Sequence, residues 1–158
     1  MANILIVEDD KDLNFAYRLI LEREKHTVES AFNGEEALQK LQNFQADIIL
    51  LDLLMPIKSG VEFLQNYDII NDHPEVKILV FTNIDNAPEI NEALRLGADK
   101  CIIKAWTSPQ GLVKLIENML HPAETDNEDI DPPADESATD SNQDKKDQAA
   151  GSKSGTPT

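Results

Sequence analysis

Cysteine occurs once in the 158 residues, at Cys101, which excludes an intrachain disulfide and leaves a thiolate-based zinc site without ligands. That usage fits a reducing compartment. Basic side chains are also scarce: 14 Lys and Arg stand against 30 Asp and Glu, a formal net charge of −16. A chain of that sign repels nucleic-acid phosphates, so no direct binding to nucleic acid is expected, whereas a cation or a basic protein partner is compatible. Long apolar runs are missing. Nothing approaches the roughly 18 apolar residues of a membrane span, and the opening run Ile4–Val7 stops at Glu8-Asp9-Asp10 without becoming a secretory signal. A cytoplasmic chain with no membrane anchor is the expectation. A glycine-rich phosphate loop is absent after that first run, which argues against nucleotide binding. His26, His73 and His121 are too scattered for a metal triad and are expected at the surface.

What is present divides in two. The hydrophobic fraction of 41% can supply a core. It is concentrated before His121. From Pro122 to Thr158 there are ten acidic residues against three basic ones, a net of −7, with Ile130 the one large apolar side chain. Such a stretch cannot bury enough apolar area to offset the entropy of ordering it. The expected organisation is a folded domain over 1–121 and an acidic disordered tail over 122–158.

Within the first part, Ile4–Val7, Ile48–Leu51, Ile78–Phe81 and Cys101–Ile103 have strand length, and Thr27–Ala31 is a weaker candidate. The first, second and third of these runs barely alternate, the mark of parallel strands covered on both faces. Apolar residues recur between them at helical steps: Leu13, Ala16, Tyr17, Ile20 and Leu21; Ala37, Leu38 and Leu41; Val61, Leu64 and Asp68–Ile69; Ile90, Ala93, Leu94 and Leu96; Leu112, Leu115, Ile116 and Met119. Asn33 precedes Gly34-Glu35-Glu36 as a cap with acids in the first turn. Gly97 stands where a helix would stop, and Ser108-Pro109 where the last would start. Five strand–helix repeats with short connections imply a doubly wound α/β domain with a parallel sheet.

Ligands of such sheets bind at the carboxyl ends of the strands. There the first strand runs into Glu8, Asp9 and Asp10, the third into Asp52, the fourth into Thr82 and the fifth into Lys104. Alone, Asp9 or Asp10 reads as a helix cap, Asp52 as a turn cap, Thr82 as a strand residue and Lys104 as a solvated charge. Together they suit one reaction. Clustered carboxylates repel unless a hard cation such as Mg²⁺ sits among them. One carboxylate can then attack phosphorus, with an ammonium and a hydroxyl meeting the phosphoryl oxygens.

At this point the chain resembles the receiver domain of bacterial two-component response regulators, of the single-domain, chemotaxis-regulator-like kind. The matching segments are Ile4–Asp10, Asp47–Pro56 with Gly60 beyond it, Ile78–Thr82, Ala93–Asp99 and Lys104, in the family's order and spacing. The resemblance implies a flavodoxin-like sheet of order 2-1-3-4-5 with helices on both faces. It makes Asp52 the phosphoacceptor and assigns Mg²⁺ to Glu8, Asp9, Asp52 and the backbone carbonyl of Leu54. Thr82 becomes the switch hydroxyl, drawn inward on phosphorylation, and Lys104 the phosphate-binding lysine, with Cys101 at a switch position. It further implies a sensor histidine kinase or histidine phosphotransfer protein as partner, a downstream protein target, and a face of the fourth helix, fifth strand and fifth helix through which receivers often pair as homodimers.

Several positions depart from the family pattern. Lys104 is followed by Ala105 where the family has a cis proline. A non-proline cis bond costs about 2.5–4 kcal/mol, which leaves a trans loop or a strained one open. Cys101 stands in place of an aromatic residue that moves with the threonine, and Asn83 in place of a very small one. Leu54 and Ile84 occupy positions where polar side chains help orient a hydrolytic water, so a long-lived aspartyl phosphate is expected. Cys101 reads as a small core hydrophobe and Trp106 as a partly buried loop anchor. A related phosphatase would want an acid at Leu54. A receiver-shaped interaction module that is never phosphorylated remains the alternative.

Overall fold

The computed structural model describes residues 1–122. Beyond Pro122 the expected acidic tail lies outside the described residues. Strands β1 (Asn3–Val7), β2 (Thr27–Ala31), β3 (Ile48–Leu51), β4 (Lys77–Thr82) and β5 (Lys100–Ile103) alternate with helices α1 (Lys11–Arg23), α2 (Gly34–Leu41), α3 (Gly60–Asn66), α4 (Ile69–Asp72), α5 (Ala87–Arg95) and α6 (Pro109–Leu120). All strand pairs are parallel and the order is β2-β1-β3-β4-β5.

The unbroken apolar runs fill two cores at once. In β1, β3 and β4, alternate side chains (Leu5, Val7, Ile49, Leu51, Ile78, Val80) pack with Ala37, Phe63, Leu64, Ile69 and Ala93 on one side of the sheet. Their neighbours (Ile4, Ile6, Ile48, Leu50, Leu79, Phe81) pack with Leu21, Leu112, Ile116 and Met119 on the other. A period of two in side-chain direction turns one continuous run into two buried faces. Each fully buried aliphatic side chain contributes roughly 1.5–3 kcal/mol relative to exposure.

Local chemistry sets the ends of the helices. Asn33 accepts from Glu36 N–H at 2.8 Å, and Ser108 from Gly111 N–H at 3.0 Å ahead of Pro109. Gly97, with φ +110°, ends α5, its N–H on Leu94 O and that of Ala98 on Ala93 O. The same paired bonds end α1 without glycine. Lys25 takes φ +69°, its N–H on Glu22 O, and His26 N–H reaches Leu21 O.

Three expectations need correction. The pattern through Val61, Leu64 and Asp68–Ile69 is not one helix: Tyr67 turns extended (φ −114°, ψ 94°), and Asp68 accepts from Asn71 N–H at 3.0 Å to start the separate α4. The face expected of a fourth and fifth helix is therefore that of α5, β5 and α6. His26 is buried rather than at the surface, because the left-handed turn at Lys25 points it inward. Its Nδ1 accepts from Ala2 N–H at 3.3 Å, so Nε2 carries the proton toward Glu117 at 3.0 Å. Trp106 is 83% exposed. Three residues per turn in the 3₁₀ turn Lys104–Trp106 set Trp106 away from Lys104, and Lys104 points inward.

Gly60 lies directly against the backbone leaving β3, since a Cβ there would overlap the Asp52 carbonyl oxygen and stand 2.8 Å from Leu53 Cα. Gly60→Ala must push the β3–α3 loop off its seat. We expect a loss of about 2–3 kcal/mol in urea unfolding, and a variant as stable as the parent would refute this packing.

Candidate functional site

Register builds the site. Val7 lies beside Leu51, Leu51 beside Val80 and Thr82 beside Ile103, so the carboxyl ends of β1, β3, β4 and β5 finish together. Asp52 N–H donates to Val7 O at 2.9 Å, continuing the ladder one residue past β3. Glu8, Asp52 and Thr82 are thereby buried at one edge of the sheet.

Asp52 is held from three directions. The Thr82 hydroxyl donates to its Oδ1 at 2.9 Å, Leu54 N–H to the same oxygen at 3.1 Å, and Lys104 Nζ to Oδ2 at 2.7 Å. Lys104 Nζ also bonds Glu8 Oε2, whose other oxygen accepts from Asp10 N–H at 3.1 Å. Burial, assisted by the charge on Asp52, raises the Glu8 carboxyl above its ordinary value although Lys104 pulls the other way. For Lys104 burial disfavours the ammonium, but the bonds to Asp52 and Glu8 and their charges outweigh it and its pKa rises.

The acids at the end of β1 divide their work. Asp10 caps α1, accepting from Asp12 and Leu13 N–H at 3.0 Å each. Asp9 stays exposed. Carboxylate oxygens of Glu8, Asp9 and Asp52 lie within 4.8 Å of one another. This all-oxygen, triply anionic set fits a hard divalent cation such as Mg²⁺.

Of the sequence-derived candidates, Glu8, Asp9, Asp52, Thr82 and Lys104 converge, with Leu54 contributing its N–H while its side chain faces solvent. Cys101 is half-buried against the core beneath α5, and its thiol is pushed up by burial. Peptide 104–105 is trans, since no cis bond occurs among the described residues. Asn83 and Ala105 are exposed. The Thr82 hydroxyl already faces Asp52.

Two features were not read from the sequence. Asn14 is buried and donates to Glu8 O at 3.0 Å and Ala31 O at 3.2 Å. Its signal was a polar residue three before Tyr17 and seven before Leu21, on the inward stripe of α1. Ile57 takes φ +68° inside a three-residue turn closed by Lys58 N–H on Pro56 O at 2.7 Å. A β-branched residue there is strained, and no sequence rule places one.

Lys104 carries the charge balance, so Lys104→Met strands Glu8 and Asp52, whose side chains are 4% and 8% exposed. Urea unfolding at pH 7 without divalent cations should show a loss of about 3–5 kcal/mol. A raised folded-state pKa means the lysine's contribution is complete below the ordinary 10.5 and disappears as pH climbs through the folded value. The gap between the two proteins should therefore close in strong alkali, and shrink in acid as Glu8 protonates. A gap independent of pH would contradict the assignment.

Comparison with known proteins bears on this arrangement. The family model for the response regulator receiver domain matches residues 4–117. Protein CcdB of Bacillus subtilis is 29% identical over 122 residues, covering 77% of this chain and all of that protein. Chemotaxis protein CheY of Halobacterium salinarum is 29% identical over 67% of this chain and 87% of its own length. The chain spans about half of the transcriptional regulatory protein LnrK of Bacillus subtilis, 46% of its length at 35% identity. Among solved structures, a CheY-like receiver domain protein from Methanospirillum hungatei superposes with a TM-score of 0.70 at 30% identity, over 76% of this chain and 94% of that one. No helix among the described residues is long and apolar enough to cross a membrane. The matched span, the strand order and the acidic edge agree, and the chain belongs to the receiver domains of two-component response regulators.

Proposed function

We propose that this chain is a Mg²⁺-dependent phosphoryl acceptor, with Asp52 as the residue modified and output carried by protein contact. The observation behind this reading is the convergence of Thr82, Lys104 and the Leu54 N–H on a single buried carboxylate, with Glu8 and Asp9 beside it. A carboxylate placed only to stabilise the fold would not need three donors and two further acids.

In the proposed reaction an Asp52 oxygen attacks phosphorus, a P–O bond forms, and the bond from phosphorus to the donor breaks with its electron pair on the leaving group. Glu8, Asp9, Asp52 and the Leu54 carbonyl would hold Mg²⁺, which when bound neutralises charge developing on the phosphoryl oxygens. Lys104 trades its contact with Asp52 for one to the phosphoryl group. Thr82 keeps its donor direction and shifts only its acceptor. The hydroxyl already faces Asp52, so the bias acts on a contact in place rather than on a side chain swung from outside. The donor would be a sensor histidine kinase or a histidine phosphotransfer protein. The exposed Leu54 and half-buried Ile84 can orient no attacking water, which favours a long-lived phosphoprotein and slow self-dephosphorylation.

Incubation with a small-molecule phosphodonor and Mg²⁺ should add one phosphoryl group to the intact mass, dependent on the cation and absent in Asp52→Asn. Absence of labelling where other receivers label would favour an unphosphorylated interaction module. Followed after donor removal, the phosphoprotein should persist for many minutes, and Leu54→Asn should shorten its life. Decay of the parent within seconds would refute the role given to Leu54 and Ile84.

A further inference from the structure

Asn14 offers no group to the carboxylate cluster, yet it is 1% exposed and spends both amide hydrogens on backbone oxygens at the carboxyl ends of two strands. One acceptor is the carbonyl of Glu8 at 3.0 Å. The other is the carbonyl of Ala31 at 3.2 Å, which also receives the Glu8 N–H at 3.1 Å. Glu8 is thus gripped on both sides, its N–H by β2 and its C=O by a helix side chain. That carbonyl belongs to the peptide plane joining Glu8 to Asp9. Its direction sets where the chain leaves β1 and hence where the Asp9 carboxylate stands relative to Glu8 and Asp52.

From this we infer that Asn14 is a positioning residue for the cation site, acting through the Glu8–Asp9 peptide and touching neither cation nor phosphoryl group. The inference rests on the reading of Glu8, Asp9 and Asp52 as Mg²⁺ ligands. Its physical basis is that carboxylates on a loop bind a small, demanding cation well only when the loop is already in place. Asp10, the next residue, is tied down by its capping bonds to α1, so Asn14 and Asp10 clamp the two ends of the short segment that carries Asp9. An amide can do this and a leucine cannot. Leucine fills the same volume but leaves the Glu8 carbonyl free to turn.

Mg²⁺ binding to the full chain, measured by calorimetry with the metal alone, separates positioning from plain stability. Asn14→Leu should weaken Mg²⁺ by about 10-fold or more, and Asn14→Ser, which keeps one donor, should fall between it and the parent. Leu21→Ala, a core truncation on the same helix remote from the carboxylates, should lower stability and leave Mg²⁺ affinity unchanged. Should Asn14→Leu fail to fold, Asn14→Ser against Leu21→Ala carries the comparison. Parent-like affinity in the folded Asn14 variants overturns the inference and spares the metal reading. A parent that binds no Mg²⁺ overturns both.

Discussion

Three carboxylates gathered at one edge of a sheet cannot stay there without positive charge among them, and Lys104 supplies it. Its ammonium, just past the end of β5, joins Glu8 beyond β1 to Asp52 beyond β3. At low exposure such an arrangement is costly to desolvate and costlier to leave half paired. The raised Glu8 and Lys104 pKa values express the two halves of that balance. Under the proposed function the same property makes the edge responsive: a divalent cation or a transferred phosphoryl group would change the charge to be balanced, and the groups around Asp52 would answer it.

The scaffold makes the concentration of charge tolerable. Continuous apolar runs in β1, β3 and β4 bury both faces of the sheet, and parallel register ends the strands together. Rigid core therefore extends to within one residue of Glu8 and Asp52. Gly60 brings the β3–α3 loop against Asp52 and Leu53, and Asn14 ties the exit of β1 to β2. Exposed apolar side chains such as Leu54, Ile57 and Trp106 stand on loops at that edge, where burial no longer governs the choice of residue.

Much of this was legible beforehand, for identifiable reasons. Non-alternating runs announced buried parallel strands, and Asn33, Gly97 and Ser108-Pro109 announced helix ends through their own backbone chemistry. Glu8, Asp52, Thr82 and Lys104 could be gathered because each directly follows or ends an apolar run, and Asp9 because it comes one residue later. The misses are of another kind. His26 is buried through contacts with Ala2 and with Glu117, 24 and 91 residues away. Trp106 was misplaced because only the 3₁₀ turn reveals which way it faces. The break at Tyr67 followed from the Asp68 cap, which apolar spacing alone does not register.

The sequence by itself determined the alternation of strands and helices, the two-faced burial of the sheet and the inventory of acid, hydroxyl and ammonium at the strand ends. These are local properties, because periodicity, capping and composition act within a few residues. Tertiary structure alone decided that Lys104 spans Glu8 and Asp52, that the Thr82 hydroxyl already points at Asp52, that the 104–105 peptide is trans and that Asn14 grips the Glu8 carbonyl. Each depends on register and on the direction of a side chain across the sheet. Those are fixed only when distant segments pack together.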